Sequence, residues 1–248
     1  MLKKTQNPSR FFRDTTNSWG NFCEACSEKS VCVFLRFADK LKRCDPSLIW
    51  CKEFSSGESI LTEGAPVSGI PMVCRGIALV SRVAEGHEVF VHIARPGFIL
   101  DLSSWRLGNT SLPCSAEALG STAISFFRSD LLKREAQQDA QLAWDFFNHT
   151  FSQLRDLEAR YMKKVGMSVR IRIVYFLLEL ADFYAPGSSS FVVLPLKLPR
   201  RVLVKAVGTA EETVSRIMTD LIRQGLIQKS KEALIIPNVT RLRSLLPP

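Results

Sequence analysis

The sequence predicts an α+β protein with an N-terminal all-β domain, a long helix and a C-terminal winged helix-turn-helix. Between about residues 48 and 128, short apolar runs alternate with glycine-containing turns, which is typical of a sandwich or barrel. Between about 142 and 165, apolar residues recur at steps of three and four, as in an amphipathic helix. Further on, two short helical stretches meet at Gly208, which favours a helix-turn-helix.

Composition narrows the class of protein. Apolar residues make up 46% and charged residues 23% of 248 residues, the balance of a folded globular protein. No apolar run approaches the roughly 20 residues of a membrane span, and residues 1–21 lack the hydrophobic region of a secretory signal. We therefore expect a cytoplasmic protein whose seven cysteines are reduced. With three histidines and no glycine-rich phosphate loop, we do not expect an enzyme.

Residues 1–45 are predicted to form a cysteine-bearing arm. Cys23, Cys26 and Cys32 make a C-x2-C-x5-C cluster, and Cys114 lies far downstream beside a proline. Four thiolates are the ligand set of an iron–sulfur cluster. Clustered thiols also suit zinc or a switch based on thiol oxidation.

Residues 46–130 are predicted to be the all-β domain. The runs 77–83 and 88–93 are expected to pair as strands around a turn at 84–87, and glycines punctuate the segment throughout. Residues 131–166 are predicted to hold the long helix, because glycine is absent between Phe127 and Gly166. A helix of this length suits a two-helix seam between two copies of the chain. The residues assigned to that dimer seam are Phe147, Leu154, Leu157 and Tyr161.

Residues 167–248 are predicted to be the winged helix-turn-helix. After an apolar helix at 172–184 and a loop at 186–190, short helices are expected at 198–207 and 210–224, and a two-stranded wing at 226–228 and 233–236. Residues 165–248 hold twelve Lys and Arg against six Asp and Glu, an excess of six out of the total charge of +9. A basic surface of this kind favours double-stranded DNA.

The second helix of such a motif presents its N-terminal residues to base edges. Glu212 and Arg216 share a face here; Glu can accept from cytosine and Arg can bind guanine with two hydrogen bonds. The other residues assigned to DNA binding are Thr213, Ser215, Arg200 and Arg201. Two alternatives stay open, a capping box between Thr209 and Glu212 and an intrahelical ion pair of Arg216.

Together these motifs resemble the cyclic-AMP-receptor and fumarate-nitrate-reduction (CRP/FNR) regulator family. The order of all-β domain, long helix and winged helix-turn-helix is that of the family, and Glu212, Ser215 and Arg216 match the E-x-x-S-R signature of its fumarate-nitrate branch. The spacing and position of Cys23, Cys26 and Cys32 match the cluster-binding arm of that branch.

The resemblance implies a β-roll of the cyclic-nucleotide-binding jelly-roll type and a homodimer that binds a TTGAT-type palindrome. It also implies a four-iron four-sulfur cluster (4Fe-4S) on the arm and one distant cysteine, oxygen or redox sensing, and contact with RNA polymerase. His87 stands where the family often carries an acidic residue for that contact.

The fourth ligand departs from the family pattern. Ser125 falls where the family's fourth cysteine is expected, and Cys114, the assigned ligand, lies eleven residues earlier. Cys44, Cys51, Cys74 and Asp101 are the alternatives.

The signal has alternatives too. A family regulator could be switched by thiol oxidation, zinc or a small-molecule effector in the β-roll. For a cyclic nucleotide, Arg106 is the one nearby candidate within residues 96–107; for haem, the candidates are Cys74, His87 and His92.

Overall fold

The computed structural model describes residues 49–66, 69–102, 111–194, 198–230 and 233–247. The arm cysteines Cys23, Cys26 and Cys32, together with Cys44 and Arg106, lie outside these ranges. In the described residues no helix is long and apolar enough to cross a membrane.

In the part of the N-terminal domain that the structure describes, seven strands form two antiparallel sheets. One sheet has the order β1-β7-β3 and the other the order β2-β6-β4-β5. The strands are β1 (Ile49–Phe54), β2 (Ser59–Leu61), β3 (Ile70–Arg75), β4 (Ala78–Ala84), β5 (His87–Ala94), β6 (Ser115–Ala118) and β7 (Thr122–Phe127).

The predicted hairpin is confirmed as β4 and β5. Its two turn residues, Glu85 and Gly86, have φ of 52° and 77°. Positive φ at both central residues is the geometry that matches the twist of paired strands, and glycine adopts it without strain.

The two sheets enclose an apolar core. Phe54, Val73 and Ile124 from one sheet pack with residues such as Val80 and Ala116 from the other. Because side chains alternate along a strand, the neighbours of these core residues lie on the outer faces of the sheets.

Two helices follow, α1 (Ser129–Gln138) and α2 (Ala140–Lys164). The break at Asp139 separates them, since its carboxylate caps α2 by accepting from the backbone N–H of Leu142 at 3.0 Å. The long helix is therefore confirmed with 25 residues, whereas α1 was not predicted as a helix of its own.

The remaining elements are α3 (Val169–Tyr184), β8 (Val192–Leu194), α4 (Arg200–Val207), α5 (Glu211–Arg223), β9 (Gln228–Lys229), β10 (Leu234–Ile236) and α6 (Val239–Arg243). Gly208, with φ of 62°, ends α4 in the left-handed conformation that turns the chain into α5. The wing is a three-stranded sheet of order β8-β10-β9, so β8 adds a strand to the two that were predicted.

One buried cluster joins the N-terminal and C-terminal elements. Ile77, Leu79, Ile93 and Leu119 of the β domain pack in the same apolar cluster as α3, α4 and α5. The predicted α+β architecture, with its β domain, long helix and winged helix-turn-helix, is confirmed.

Candidate nucleic-acid interface and thiol cluster

Helix α5 presents a polar face at its N-terminal end. Glu212 and Arg216, four residues apart, are both exposed, while Val214 between them is fully buried and anchors the helix. Thr213 and Ser215 are half-buried beside them. The four side chains of α5 assigned to DNA binding therefore belong to the first two turns of the helix.

The structure does not form the two alternatives for Glu212 and Arg216. Ala210, not Thr209, is the N-cap of α5, and no side chain caps the helix. Among the described residues, neither Glu212 nor Arg216 takes part in an ion pair or a side-chain hydrogen bond. Both side chains are thus available to a ligand.

The far end of α5 is fixed to α3. Arg170 donates to the Asp220 carboxylate at 3.0 Å and to the Gln224 side-chain oxygen at 2.9 Å. Leu221 is fully buried on the same helix. These contacts fix the orientation of α5 relative to α3, so the N-terminal residues of α5 move together with α3.

A groove of about 480 Å³ lies between α4, α5 and the wing. Ser215 and Thr219 line it from α5, Arg200 from α4, and Lys229 and Ser230 from the wing. Hydroxyl and cationic groups of this kind bind phosphate oxygens. Arg200 therefore lines the same groove as Ser215 and Thr219 of α5.

Arg201 points elsewhere. Its guanidinium makes two hydrogen bonds to the Glu117 carboxylate of β6, at 2.6 and 3.1 Å. The neighbouring Lys205 pairs with Glu88 of β5. The first helix of the motif is thus tied by charge to the β domain, and Glu117 takes two of the N–H donors of Arg201.

Helix α2 has two apolar faces that the sequence pattern had merged into one. Leu142 and Phe146 are buried against the protein, and Leu157 lies half-buried on their side of the helix. The opposite face is exposed and apolar, comprising Trp144, Phe147, Phe151, Leu154, Tyr161, Met162 and Val165.

The exposed residues 144, 147, 151, 154, 161 and 165 follow a heptad spacing, and Glu158 occupies the remaining position of the seam. Phe147, Leu154 and Tyr161 of the predicted seam therefore lie on this face. Leu157 does not, and Trp144 and Phe151 were missed; their seven-residue spacing was the available signal.

The inner face of α2 is held to the β domain by polar contacts. Gln153 exchanges two hydrogen bonds with the backbone of Ile99, and the His149 ring lies 2.8 Å from the carbonyl oxygen of Gly97. Segment 97–100 in turn bonds to β3, through pairs such as Val73 N–H with the Phe98 carbonyl at 2.9 Å. The seam helix is thus mechanically connected to the sheet β1-β7-β3.

Cys114, the assigned fourth ligand, is buried in the core between the two sheets, next to the start of β6. Its thiol donates to the Leu100 carbonyl at 3.8 Å. Burial, with the nearby Asp101 carboxylate, raises the pKa of the Cys114 thiol to about 11. An apolar site of this kind disfavours the thiolate that a metal requires.

Two other thiols meet at Ser125. Cys51 of β1 lies 3.4 Å from the Ser125 hydroxyl, and Cys74 of β3 also hydrogen-bonds it. A hydrogen bond with Cys51 and burial raise the pKa of the Cys74 thiol well above its usual value. In the described ranges no group of three or more His, Cys, Asp or Glu side chains is arranged to hold a metal by itself. The closely spaced thiols that suit an iron–sulfur group are Cys23, Cys26 and Cys32 of the arm, which lie outside the described residues.

Cys74 and His92, two of the candidates for haem, are not brought together as an axial pair. His92 is buried against the Phe98 ring, with 4.7 Å between ring centroids, whereas Cys74 contacts Ser125 on the other sheet. Burial and the charges of Lys164 and Arg160 lower the pKa of His92 to about 4.

Comparison with known proteins matches residues 171–245 to the Crp-like helix-turn-helix domain. The chain is 27% identical over 215 residues to the nitrogen fixation regulation protein FixK of Bradyrhizobium diazoefficiens, covering 84% of this chain and 86% of FixK. It is 23% identical over 220 residues to the transcriptional activator protein anr of Pseudomonas aeruginosa, covering 88% and 89%. The solved structure of FixK2 from Bradyrhizobium japonicum superposes with a TM-score of 0.65 at 23% identity, covering 81% of this chain and 98% of that one.

Proposed function

Because residues 171–245 match the Crp-like helix-turn-helix domain and the chain is similar over most of its length to the regulators FixK and anr, we propose that it is a transcription regulator of the CRP/FNR family that reads a TTGAT-type palindrome as a homodimer under the control of an iron–sulfur cluster. It is a DNA-binding protein and not an enzyme. The observation that carries the DNA-binding part is the availability of Glu212 and Arg216 on the exposed face of α5.

The half-site TTGAT contains one G·C base pair. Arg216 donates two hydrogen bonds to the guanine, and Glu212, one turn earlier, accepts from the cytosine amino group. Ser215 and Thr213 contact neighbouring bases or phosphates, and Arg200 with the wing lysine Lys229 holds the backbone along the groove.

Dimerisation sets the spacing of the two recognition helices. In the dimer, the exposed heptad face of α2 packs on its copy, so Phe147, Leu154 and Tyr161 become buried together with Trp144 and Phe151. Two recognition helices related by a two-fold axis then meet half-sites about one DNA turn apart, roughly 34–36 Å.

The control lies in the arm. Cys23, Cys26 and Cys32 would hold a four-iron four-sulfur cluster together with a thiolate from the β domain, and the bound group would supply an oxygen-labile cross-link between arm and domain. Loss of this cross-link would change the position of α2 through the two hydrogen bonds between Ile99 of the β domain and Gln153 of α2. The named relative anr is a transcriptional activator, and we include RNA polymerase as a partner on that basis.

Binding to two DNA sites tests the recognition role. Wild type and Arg216→Ala are titrated with a TTGAT palindrome and with one in which both G·C pairs are replaced by A·T. We expect the wild type to lose about 1–3 kcal/mol per replaced pair, and Arg216→Ala to lose less than the wild type, because only the Glu212 contact to that pair remains. Arg223→Ala, at the other end of α5, should keep the wild-type preference. Equal discrimination by Arg216→Ala and wild type would refute the assignment.

Purification without oxygen tests the control. We expect iron and sulfide with a broad visible absorption band that bleaches in air, accompanied by loss of the dimer and of DNA binding. A colourless, iron-free protein that still dimerises and binds DNA would refute the cluster and leave the recognition role intact.

A further inference from the structure

A cleft of about 580 Å³ lies where three parts of the chain meet. Its walls are β5, the C-terminal end of α2, and α4 with the turn at Gly208. The cleft lies at the outer edge of the β domain, because β5 is an edge strand and no residue of the core between the two sheets lines it. A cleft of this volume suits one small organic molecule.

Apolar side chains make up much of the walls. Val89 and Val91 of β5 line the cleft and remain 47% and 44% exposed, and Val204 and Val207 of α4 lie in the same lining. Water in contact with this surface is unfavourable, and the apolar body of a ligand would displace it. The walls therefore favour a ligand with a substantial apolar part.

The charged residues of the cleft leave one cation without a partner. The charged side chains in the lining are Glu88, Lys164, Arg172 and Lys205. Lys205 pairs with Glu88 at 2.5 Å, and Lys164 lies 3.8 Å from the Glu179 carboxylate behind it. The positive charge that remains is that of Arg172.

The Arg172 guanidinium is held by packing alone. Among the described residues its side chain takes part in no ion pair or hydrogen bond, and its Nε is buried without a partner. Its Nη1 lies close to the turn, 4.0 Å from the position that a Cβ at Gly208 would occupy. A guanidinium presents a planar fork of N–H donors that matches a carboxylate, so an anion in the cleft would supply the missing partner.

We propose that this cleft binds a small organic carboxylate with an apolar body, whose carboxylate pairs with Arg172 and whose apolar body covers Val89 and Val91. An uncharged apolar molecule would leave the guanidinium unpaired, and an inorganic anion would leave the valines exposed to water. Only a molecule with both parts satisfies the whole lining.

The bound molecule would act on the recognition helix. Gly208 and Thr209 line the cleft and directly precede α5, while the opposite wall belongs to β5. A ligand that contacts both walls stabilises the arrangement in which α4 is docked on the β domain, and so biases the position of α5. This regulatory consequence rests on the proposed function, whereas binding of the carboxylate does not.

Calorimetric titration of the full-length protein with decanoate, in the absence of DNA, tests the site. Hexanoate has the same carboxylate on a shorter body. Arg172→Gln removes the charge in the cleft, and Arg134→Gln removes an exposed arginine of α1 outside it. Circular dichroism verifies the fold of each variant before titration.

We expect one decanoate per chain, binding at least about tenfold weaker to Arg172→Gln and within about twofold of wild type to Arg134→Gln. Hexanoate should bind wild type at least about tenfold weaker than decanoate, because its shorter body leaves part of the apolar walls uncovered. Equal affinity of wild type and Arg172→Gln, or no saturable binding by wild type, overturns the site.

A second copy of the chain is the competing occupant, since Tyr161 and Val165 belong both to the cleft and to the heptad face of α2. Glu158→Leu, which favours the dimer, should bind decanoate as wild type does. Loss of binding in that variant means that the second copy fills the cleft, and overturns the proposal.

DNA binding separates the site from the proposed function. Decanoate should lower the affinity of wild type for the TTGAT palindrome by at least about threefold and leave that of Arg172→Gln unchanged. A protein that binds decanoate through Arg172 without any change in DNA affinity overturns the regulatory consequence alone. A protein that binds decanoate but does not bind the palindrome overturns the proposed function and supports the site.

Discussion

Gln153 holds Ile99 through both of its amide atoms: its oxygen accepts from the Ile99 N–H at 2.9 Å, and its nitrogen donates to the Ile99 carbonyl at 2.8 Å. Gln153 therefore pairs with Ile99 as the backbone of a neighbouring strand would. Ile99 also forms a backbone bridge with Met72 of β3. Because the two bonds fix both the height and the rotation of α2 at this point, a shift of segment 97–100 requires a shift of the helix.

Removing this clamp should destabilise the protein. Gln153→Leu leaves the N–H and carbonyl of Ile99 without their partner, so we expect a loss of about 2 kcal/mol in the free energy of unfolding. Urea denaturation measures it. Gln141→Leu, at an exposed position of the same helix, should change stability by less than about 0.5 kcal/mol. Equal effects of the two substitutions would contradict the role of Gln153.

The dimer should be limited by Glu158, the charged residue at a heptad position of the exposed face. Replacement by Leu adds a buried side chain worth about 1.5–3 kcal/mol per chain, so we expect Glu158→Leu to tighten the metal-free dimer by at least about tenfold. Sedimentation equilibrium measures this change. Ser152→Leu places the same side chain outside the seam and should leave the dimer constant unchanged; an equal gain there would show that added hydrophobicity, not the seam, is responsible.

The folded protein should be acid-sensitive through His92. Its pKa is lowered to about 4, mainly by burial and also by Lys164 and Arg160, while an unfolded histidine titrates near 6.5. Between these two pKa values His92 is protonated in the unfolded chain and neutral in the folded chain. Its contribution to the free energy of unfolding is therefore complete above about pH 6.5 and is lost as the pH falls to about 4. We expect it to amount to about 3 kcal/mol.

Denaturant unfolding between pH 7 and pH 4.5 checks this expectation by comparing slopes. His92→Gln should flatten the pH dependence relative to wild type. If His92→Gln retains the full slope, other groups carry the acid sensitivity.

The ion pair between Arg201 and Glu117 should restrain DNA binding. Glu117→Gln frees the guanidinium for a phosphate, so we expect the affinity for DNA at low salt to rise by about twofold to tenfold and the salt slope to steepen by about one. Fluorescence anisotropy across salt concentrations measures both. Glu85→Gln removes the same charge at the hairpin tip and controls for net charge; an identical rise in that variant would rule out release of Arg201.

Local patterns predicted the elements whose partners are near in sequence. The turn at residues 84–87 was sufficient to predict the β4–β5 hairpin. Gly208 and Gly225 likewise predicted where α4 and α5 end. Strand β8 was missed because its partner, β10, lies about forty residues later, and its three residues have no distinct pattern of their own. The alternative of a capping box between Thr209 and Glu212 fails because α5 begins one residue later than that motif requires.

The site was harder to predict where it depends on strand register. Cys51, Cys74 and Ser125 are separated by 23 and 51 residues, and only the pairing of β1 and β3 with β7 brings them together. Arg201 looked like a phosphate ligand because it follows Arg200 in a basic helix, but successive helical residues point in directions about 100° apart. Arg201 therefore pairs with Glu117, and no local sequence pattern predicts this ion pair.

The buried cluster shared by the β domain and the C-terminal helices has a consequence for modularity. Ile77, Leu79, Ile93 and Leu119 seal an apolar surface of the helix-turn-helix unit that would otherwise face water. An isolated fragment of residues 167–248 should therefore expose this apolar surface and self-associate. Transfer of the fragment to another regulator should succeed only if the four covering side chains are transferred as well. The helix-turn-helix unit of this protein is therefore not an independently exchangeable module.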